Sequence, residues 1–193
     1  MVLASGHGSN LQAIIDACGA GDIDGSVVAV VTDRAEAYAL ERADAAGIAR
    51  VALTRLPAEE RAPYDARLAA VVADHAPDWV VLAGWMRILT TTFLDRFPDR
   101  VVNLHPALPG AFPGTKAIER AFAAHESDGL VATGVMVHLV PDEGVDNGPV
   151  LATATVPIEP DDTIDSLTDR VHLTERRLLV ETLARLCAQE VSA

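Results

Sequence analysis

The sequence predicts an α/β protein with one open, twisted and mostly parallel sheet and helices on both of its faces. Continuous apolar runs of strand length alternate with amphipathic stretches along most of the chain. Such runs are typical of strands that are buried on both faces, as parallel strands are. The chain has 193 residues, of which 50% are hydrophobic and only 4% aromatic. We therefore expect residues 1–193 to form a single domain with an aliphatic core.

The first part of the chain contains five predicted strands and the helices that connect them. The strands are the apolar runs Val2–Ala4, Val27–Val31, Arg50–Leu53 (the weakest), Trp79–Ala83 and Val101–Leu104. The predicted helices are Ser9–Cys18, Ala37–Ala46, Tyr64–His75 and the short Thr92–Arg96. A helix between successive strands is typical of parallel pairing.

The pattern changes after a predicted helix at Thr115–Ala124. Two longer strands, Val131–Val140 and Pro149–Val156, are separated only by the polar turn Pro141–Gly148. A parallel crossover takes about a dozen residues or more, so these two strands are expected to be antiparallel. A final long helix, Thr163–Ala188, follows the capping signal Asp161-Asp162-Thr163.

Composition and charge exclude several classes of partner. The net charge is −13, from 28 acidic residues against 15 Lys and Arg, and Lys116 is the only lysine. A nucleic-acid-binding surface needs clustered cations, so nucleic acid is not expected as a partner. No apolar run approaches the roughly 20 residues of a membrane helix, and the first residues do not resemble a signal peptide. We expect a cytoplasmic protein in which Cys18 and Cys187 are buried thiols, with no metal site.

The loop Gly6-His7-Gly8-Ser9-Asn10 joins the first predicted strand to the first helix. Glycines allow a tight turn, and the free N–H groups of a helix N-terminus attract anions. The third glycine of a dinucleotide fingerprint is missing, which favours a monophosphate over a pyrophosphate. The alternative is that Ser9 or Asn10 simply caps the helix.

Two further signals suggest proton transfer. Asn103 and His105 lie at the carboxyl end of a predicted strand, where ligands bind in open α/β sheets. Their i, i+2 spacing directs both side chains to the same side, where an amide donor and an imidazole suit oxyanion stabilisation and acid–base chemistry. The acidic loop 142–149 contains Asp146, which could orient and charge a histidine. The alternatives are a structural histidine and a solvated turn.

Together these segments resemble the folate-dependent formyltransferases, and among them the phosphoribosylglycinamide formyltransferases. The similarity covers nearly the whole chain in order. The matching segments are Ser5–Ile14, Gly84–Leu89, Asn103–Leu108, Val137–Val140 and Asp146–Val150. Asn-x-His-Pro and Asp-x-Gly-Pro mark the wider superfamily, whereas Gly-x-Gly-Ser-Asn and Met-Arg-Ile-Leu indicate the narrower family. The resemblance implies a Rossmann-like fold.

The resemblance also implies roles for individual residues. Catalysis would fall to Asn103, His105 and Asp146. The substrate would be bound by Gly8, Ser9, Asn10, Pro106, His172 and Glu175, with Glu175 on the ribose hydroxyls and His172 near the phosphate. The folate would contact Arg61, Met86, Arg87, Ile88, Leu89, Asn103, Val140, Pro141, Asp142 and Glu143. Without the resemblance, residues 86–89 would be interpreted as core packing.

The implied reaction belongs to purine biosynthesis. The amine of glycinamide ribonucleotide would attack the formyl carbon of the co-substrate 10-formyltetrahydrofolate. Asn103 would donate to the developing oxyanion, and Asp146 would raise the pKa of His105 and set its tautomer. No metal is required for this chemistry.

Three alternatives lead to different expectations. A methionyl-tRNA formyltransferase carries a C-terminal domain and a basic surface, and this sequence offers neither. A 10-formyltetrahydrofolate hydrolase usually has an N-terminal regulatory domain, whereas the glycine loop here lies within the first ten residues. A non-catalytic sensor of phosphoribosyl ligands would need the loop at Gly6–Asn10 but not the three catalytic residues. The sequence leaves the question of a homodimer open.

Overall fold

The computed structural model describes residues 1–190, which form seven strands and six helices. The strands are β1 (Val2–Leu3), β2 (Ala29–Thr32), β3 (Ala49–Ala52), β4 (Val80–Leu82), β5 (Val101–His105), β6 (Ala132–Leu139) and β7 (Val150–Pro157). The helices are α1 (Ser9–Ala20), α2 (Ala39–Ala45), α3 (Arg61–Asp74), α4 (Thr91–Leu94), α5 (Ala117–Asp128) and α6 (Ile164–Glu190).

All seven strands form one sheet in the order β3-β2-β1-β4-β5-β6-β7. Strands β1 to β5 are parallel, and β6 is antiparallel to both of its neighbours. The predicted fold class is therefore confirmed, including the antiparallel strand in the C-terminal half. The strand order reverses between β1 and β4, and ligands bind at such switch points, beyond the carboxyl ends of the strands.

Both faces of the sheet are buried along its central strands. Val80 and Val81 are consecutive residues of β4, yet they pack into separate clusters on opposite faces. One face packs against α1 and α6 through residues such as Leu11 and Leu179. The other packs against α3 and α4, with Tyr64 fully buried. Burial on both sides explains why the strands are continuously apolar rather than alternating.

The observed elements differ from the predicted ones mainly at their ends. Helix α3 begins at Arg61, three residues earlier than expected, because Pro63 lies in the first turn, where a proline needs no intrahelical N–H bond. Strand β2 starts at Ala29 rather than Val27. Such ends depend on caps and neighbouring contacts more than on hydrophobic pattern.

Gly134 on β6 is predicted to tolerate no larger residue. A β-carbon there would lie 2.4 Å from Leu108 Cδ2 and 2.6 Å from the carbonyl oxygen of Ala154. We expect Gly134→Ala to cost about 1–3 kcal/mol and to lower Tm by several degrees in calorimetry. Gly19 is the matched control, because a β-carbon there meets open space within α1 and should stabilise the helix. Equal effects of the two variants would contradict the packing argument.

Candidate active site

The carboxyl end of β5 places Asn103 and His105 at the edge of the sheet where ligands bind, one strand away from the switch point between β1 and β4. Asn103 pairs in register with His138 on the antiparallel strand β6. His105 is almost fully buried, whereas Asn103 is partly exposed. Strand β6 thus adds the imidazole of His138 to the site, next to that of His105. The parallel neighbour β4 supplies no imidazole.

Asp146 reaches this site from the loop between β6 and β7. Its carboxylate accepts a bond from the Gly114 N–H at 2.7 Å and from Asn103 Nδ2 at 3.1 Å. The same carboxylate lies 3.3 Å from His105 Nδ1. Asp146 has a left-handed backbone with φ of 52°, a conformation that aspartate adopts more readily than most residues. The structure therefore brings both Asn103 and His105 into direct contact with Asp146.

His105 has a hydrogen-bond acceptor on each ring nitrogen. Nδ1 faces Asp146, and Nε2 lies 3.2 Å from the carbonyl oxygen of Phe112. A neutral imidazole has one N–H, so only the protonated ring can donate to both. Burial nevertheless lowers the pKa of His105 and outweighs the carboxylate of Asp146, which acts in the opposite direction. The expected effect of Asp146, which raises this pKa, is present, but the desolvation of the buried ring is larger and sets the direction of the net shift.

Asp146 remains ionised despite its surroundings. Burial by itself would raise its pKa, but the neighbouring His138, the N–H of Gly114 and His105 together leave the pKa of Asp146 below its ordinary value. A carboxylate that is held charged beside a neutral imidazole is arranged to stabilise that ring whenever it takes up a proton.

The amide nitrogen of Asn103 has two hydrogen-bond partners. Its Nδ2 lies 3.1 Å from Asp146 Oδ1 and 3.1 Å from His138 Nε2. His138 Nδ1 lies 2.8 Å from the Leu139 carbonyl, so in the neutral ring Nδ1 carries the proton and Nε2 accepts. Both amide protons therefore have partners, and donation to a new oxyanion requires one of them to be released or shared.

These polar groups lie beside a cavity of about 260 Å³. Met86 and Ile88 are exposed by 60% and 48%, whereas Leu89 is buried in the core. The interpretation of residues 86–89 as core packing therefore holds only for Leu89. Among the predicted site residues, the cavity is lined by Met86, Arg87, Ile88, Leu89, Asn103, His105, Pro106, Val140, Asp142 and Asp146.

Three predicted folate contacts lie outside the cavity lining, namely Arg61, Pro141 and Glu143. Glu143 is instead paired with Arg61, the first residue of α3, at 3.1 Å, and it also accepts from the Thr91 N–H at 3.2 Å. This contact connects the loop after β6 to α3 and α4. Arg87 is held by Asp33 at 2.7 Å.

A second polar cluster surrounds the glycine loop after β1. Gly8, with φ of 74°, is the N-cap of α1, and no side chain caps this helix. The alternative of simple capping by Ser9 or Asn10 was therefore wrong. The side chain of Asn10 instead acts on Glu175 on α6, which is only 7% exposed, and lowers the pKa of that carboxyl against the effect of burial. The half-exposed His172 lies 3.8 Å from Glu175.

Known proteins share both the sequence and the geometry of this chain. A family model described as formyl transferase matches residues 1–183. The chain belongs to the formyl transferase family. The phosphoribosylglycinamide formyltransferase of Dictyostelium discoideum is 42% identical over 96% of both chains. That of Mycobacterium tuberculosis H37Rv is 44% identical over all of this chain and 86% of its own. The crystal structure of phosphoribosylglycinamide formyltransferase from Bacillus halodurans superimposes with a TM-score of 0.92 at 37% identity, covering 98% of this chain and 95% of its own.

Sequence reasoning did not assign His138 of this formyl transferase to the site. The sequence feature that could have indicated His138 is its polar side chain within the apolar run of β6. In the sheet, His138 pairs with Asn103. The backbone groups of Gly114 and Phe112, which hold Asp146 and His105, had no signal in the sequence because every residue has a backbone N–H and C=O.

Two features are absent from residues 1–190 of this formyl transferase. None of the helices there is long and apolar enough to cross a membrane. No group of three or more His, Cys, Asp or Glu within the same residues could hold a metal ion.

Glu175 of this formyl transferase is predicted to make stability depend on pH. Burial raises its pKa from 4.5 to about 7, against the opposing bond from Asn10. The folded state therefore binds this proton more tightly than the unfolded chain, and the resulting stabilisation, complete below pH 4.5, is lost as the pH rises through 7. Glu175→Gln keeps an acceptor for Asn10 but never ionises. It should raise Tm by roughly 5 °C at pH 8 and change it little at pH 5. An equal effect at both pH values would exclude the carboxyl group as the cause.

Proposed function

We propose that this protein transfers the formyl group of 10-formyltetrahydrofolate to the amine of glycinamide ribonucleotide, forming formylglycinamide ribonucleotide and tetrahydrofolate in purine biosynthesis. The observation that supports this most strongly is the contact of Asn103, His105 and Asp146 beside an open cavity. This set combines an amide donor, an imidazole and a carboxylate where a folate and an amine could meet.

The two polar clusters suit the two substrates. The cavity presents apolar side chains such as Met86 and Ile88 together with polar groups from Asp142 and Asp146, as a flat and polar-edged pterin requires. The loop at Gly8–Asn10 offers N–H groups at the start of a 12-residue helix, which suit a phosphate monoester. Glu175 and His172 lie next to this loop, where the ribose would be bound.

His105 would carry the proton. The folate supplies the formyl carbon and the nitrogen that leaves it. Because burial lowers the pKa of His105, the ring is neutral at neutral pH and can accept the proton of the attacking amine. The ionised Asp146 would stabilise the resulting imidazolium, which then returns the proton to the leaving nitrogen, directly or through water. In this role the negative charge of Asp146 acts when the imidazolium of His105 forms during the reaction, and not while the ring is neutral.

Asn103 would stabilise the formyl oxygen as negative charge develops on it. The N–H of Asn103 that bonds to His138 in the free protein can redirect its hydrogen bond to that oxygen, while the bond to Asp146 keeps the side chain oriented. Arg61 would reach the folate at the mouth of the cavity, where its guanidinium is available only in competition with Glu143.

The test combines purified protein with glycinamide ribonucleotide and 10-formyl-5,8-dideazafolate, and follows the deformylated folate by absorbance. Deformylation that depends on the ribonucleotide is the expected result. Deformylation without the ribonucleotide would instead indicate a hydrolase. Ribonucleotide binding in calorimetry without any deformylation would indicate a non-catalytic sensor. Either of these outcomes would overturn the proposal.

A further inference from the structure

The carbonyl groups of Gly6, His7 and Gly8 in the glycine loop each accept a hydrogen bond from within the protein. The Gly6 carbonyl accepts from the N–H of Ala39, the first residue of α2, at 3.1 Å. The His7 carbonyl accepts from Arg42 Nε at 2.9 Å, and the Gly8 carbonyl accepts from the Gln12 N–H at 2.9 Å. The loop therefore has no carbonyl left to repel an anion.

The N–H groups of the same loop remain free. No described residue accepts a hydrogen bond from the backbone N–H of Gly8, Ser9 or Asn10. Successive N–H groups with this freedom form an anion-binding concavity, provided that the peptide units keep their orientation. The N–H and the carbonyl of one peptide unit point in opposite directions. A hydrogen bond to the carbonyl therefore fixes the direction of the N–H.

Among the residues that the structure describes, Arg42 alone bonds to these carbonyls through its side chain. Besides Nε to the His7 carbonyl, its Nη1 donates to Gln12 Oε1 at 3.0 Å and its Nη2 lies 3.2 Å from His7 Nδ1. The guanidinium also lies over the ring of Tyr38, on which the His7 ring is stacked. One planar group thus connects the loop to the first turn of α1. The single ammonium of a lysine cannot reproduce this set of contacts.

We infer that Arg42 is a positioning residue for phosphate binding, which holds the loop so that its N–H groups face the phosphate of the ribonucleotide. This inference rests on the proposed function, which assigns the phosphate to the loop. Arg42 acts through the backbone of His7 and the side chain of Gln12, both of which it contacts directly.

The kinetic test compares Arg42→Gln and Arg42→Lys with Arg50→Gln. Arg50 is the matched control. This arginine of β3 also contacts α2, but it does so through an exposed ion pair with Asp44 and not through the glycine loop. Arg42→Gln should raise the KM for the ribonucleotide by about tenfold or more, while kcat and the folate KM stay within about twofold. Arg42→Lys should recover only part of the loss, and Arg50→Gln should match the wild type. An equal rise of both KM values would overturn the inference, because it would indicate a general loss of structure.

Hydrogen exchange of the free protein provides a measurement that does not depend on turnover. Amides in the peptide that spans residues 6–12 should exchange faster in Arg42→Gln than in the wild type, and inorganic phosphate should protect them only in the wild type. A raised KM with unchanged exchange would mean that Arg42 contacts the substrate itself, and would overturn the positioning role. If the wild type shows no turnover, the proposed function fails, whereas exchange and phosphate protection still test the effect of Arg42 on the loop.

Discussion

Replacing His105 with alanine is expected to lower kcat by about 10²–10⁴-fold, the usual contribution of a positioned acid–base group. The ring is held between the Asp146 carboxylate and the Phe112 carbonyl, so no other described imidazole occupies its place; His138 lies on the far side of the same carboxylate. The ribonucleotide KM should change little, since His105 would act in the transition state. A loss confined to KM would show that His105 binds substrate and does not transfer the proton.

The role of Asp146 can be separated from that of His105 by replacing Asp146 with asparagine. The carboxylate is the group that raises the pKa of His105 against burial, so its removal should lower that pKa further. Proton NMR of the histidine ring should therefore show His105 titrating below its ordinary range in the wild type and lower still in Asp146→Asn. An unshifted titration would mean that Asp146 acts by holding Gly114 and the loop, not by its charge.

The two residues should also behave as one unit in kinetics. The imidazolium that Asp146 would stabilise does not exist in the absence of His105, so the double variant His105→Ala/Asp146→Asn should be scarcely slower than His105→Ala alone. Single-turnover measurements on the four proteins would establish this. Losses that multiply would show that the two side chains contribute independently.

Replacing Asn103 with alanine is expected to lower kcat by about 10²–10³-fold, as the loss of an oxyanion donor does. The variant removes the donor and also leaves Asp146 Oδ1 and His138 Nε2 without their partner. Asn103→Asp should be at least as impaired, because it places a second carboxylate about 3.1 Å from the first and donates to neither neighbour.

The matched control for Asn103 is Asn147→Ala, an exposed asparagine next to Asp146. It should change kcat by no more than about threefold, as most surface substitutions do. Circular dichroism of all three variants would confirm that each is folded. A loss below about tenfold in Asn103→Ala would exclude a dominant role in stabilising the oxyanion.

Much of the fold could be predicted because the signals are local. Apolar runs of strand length and the amphipathic stretches between them predicted every strand and helix of residues 1–190, apart from their ends. The two-residue spacing of Asn103 and His105 predicted that both face one side, since side-chain direction alternates along any strand. The short turn between β6 and β7 predicted their antiparallel pairing, because a parallel crossover needs a longer connection.

The site required information that no local pattern contains. His138 meets Asn103 only because β6 pairs with β5 in one register, and Arg42 meets the glycine loop only because α2 packs against it. The sign of the His105 pKa shift likewise depended on burial, which outweighs the charge of Asp146. The sequence by itself determined the kinds of elements, the direction of side chains along them and the chemical groups available. Tertiary structure alone decided which groups touch and how much water they lose, because both depend on packing between residues that are far apart in the chain.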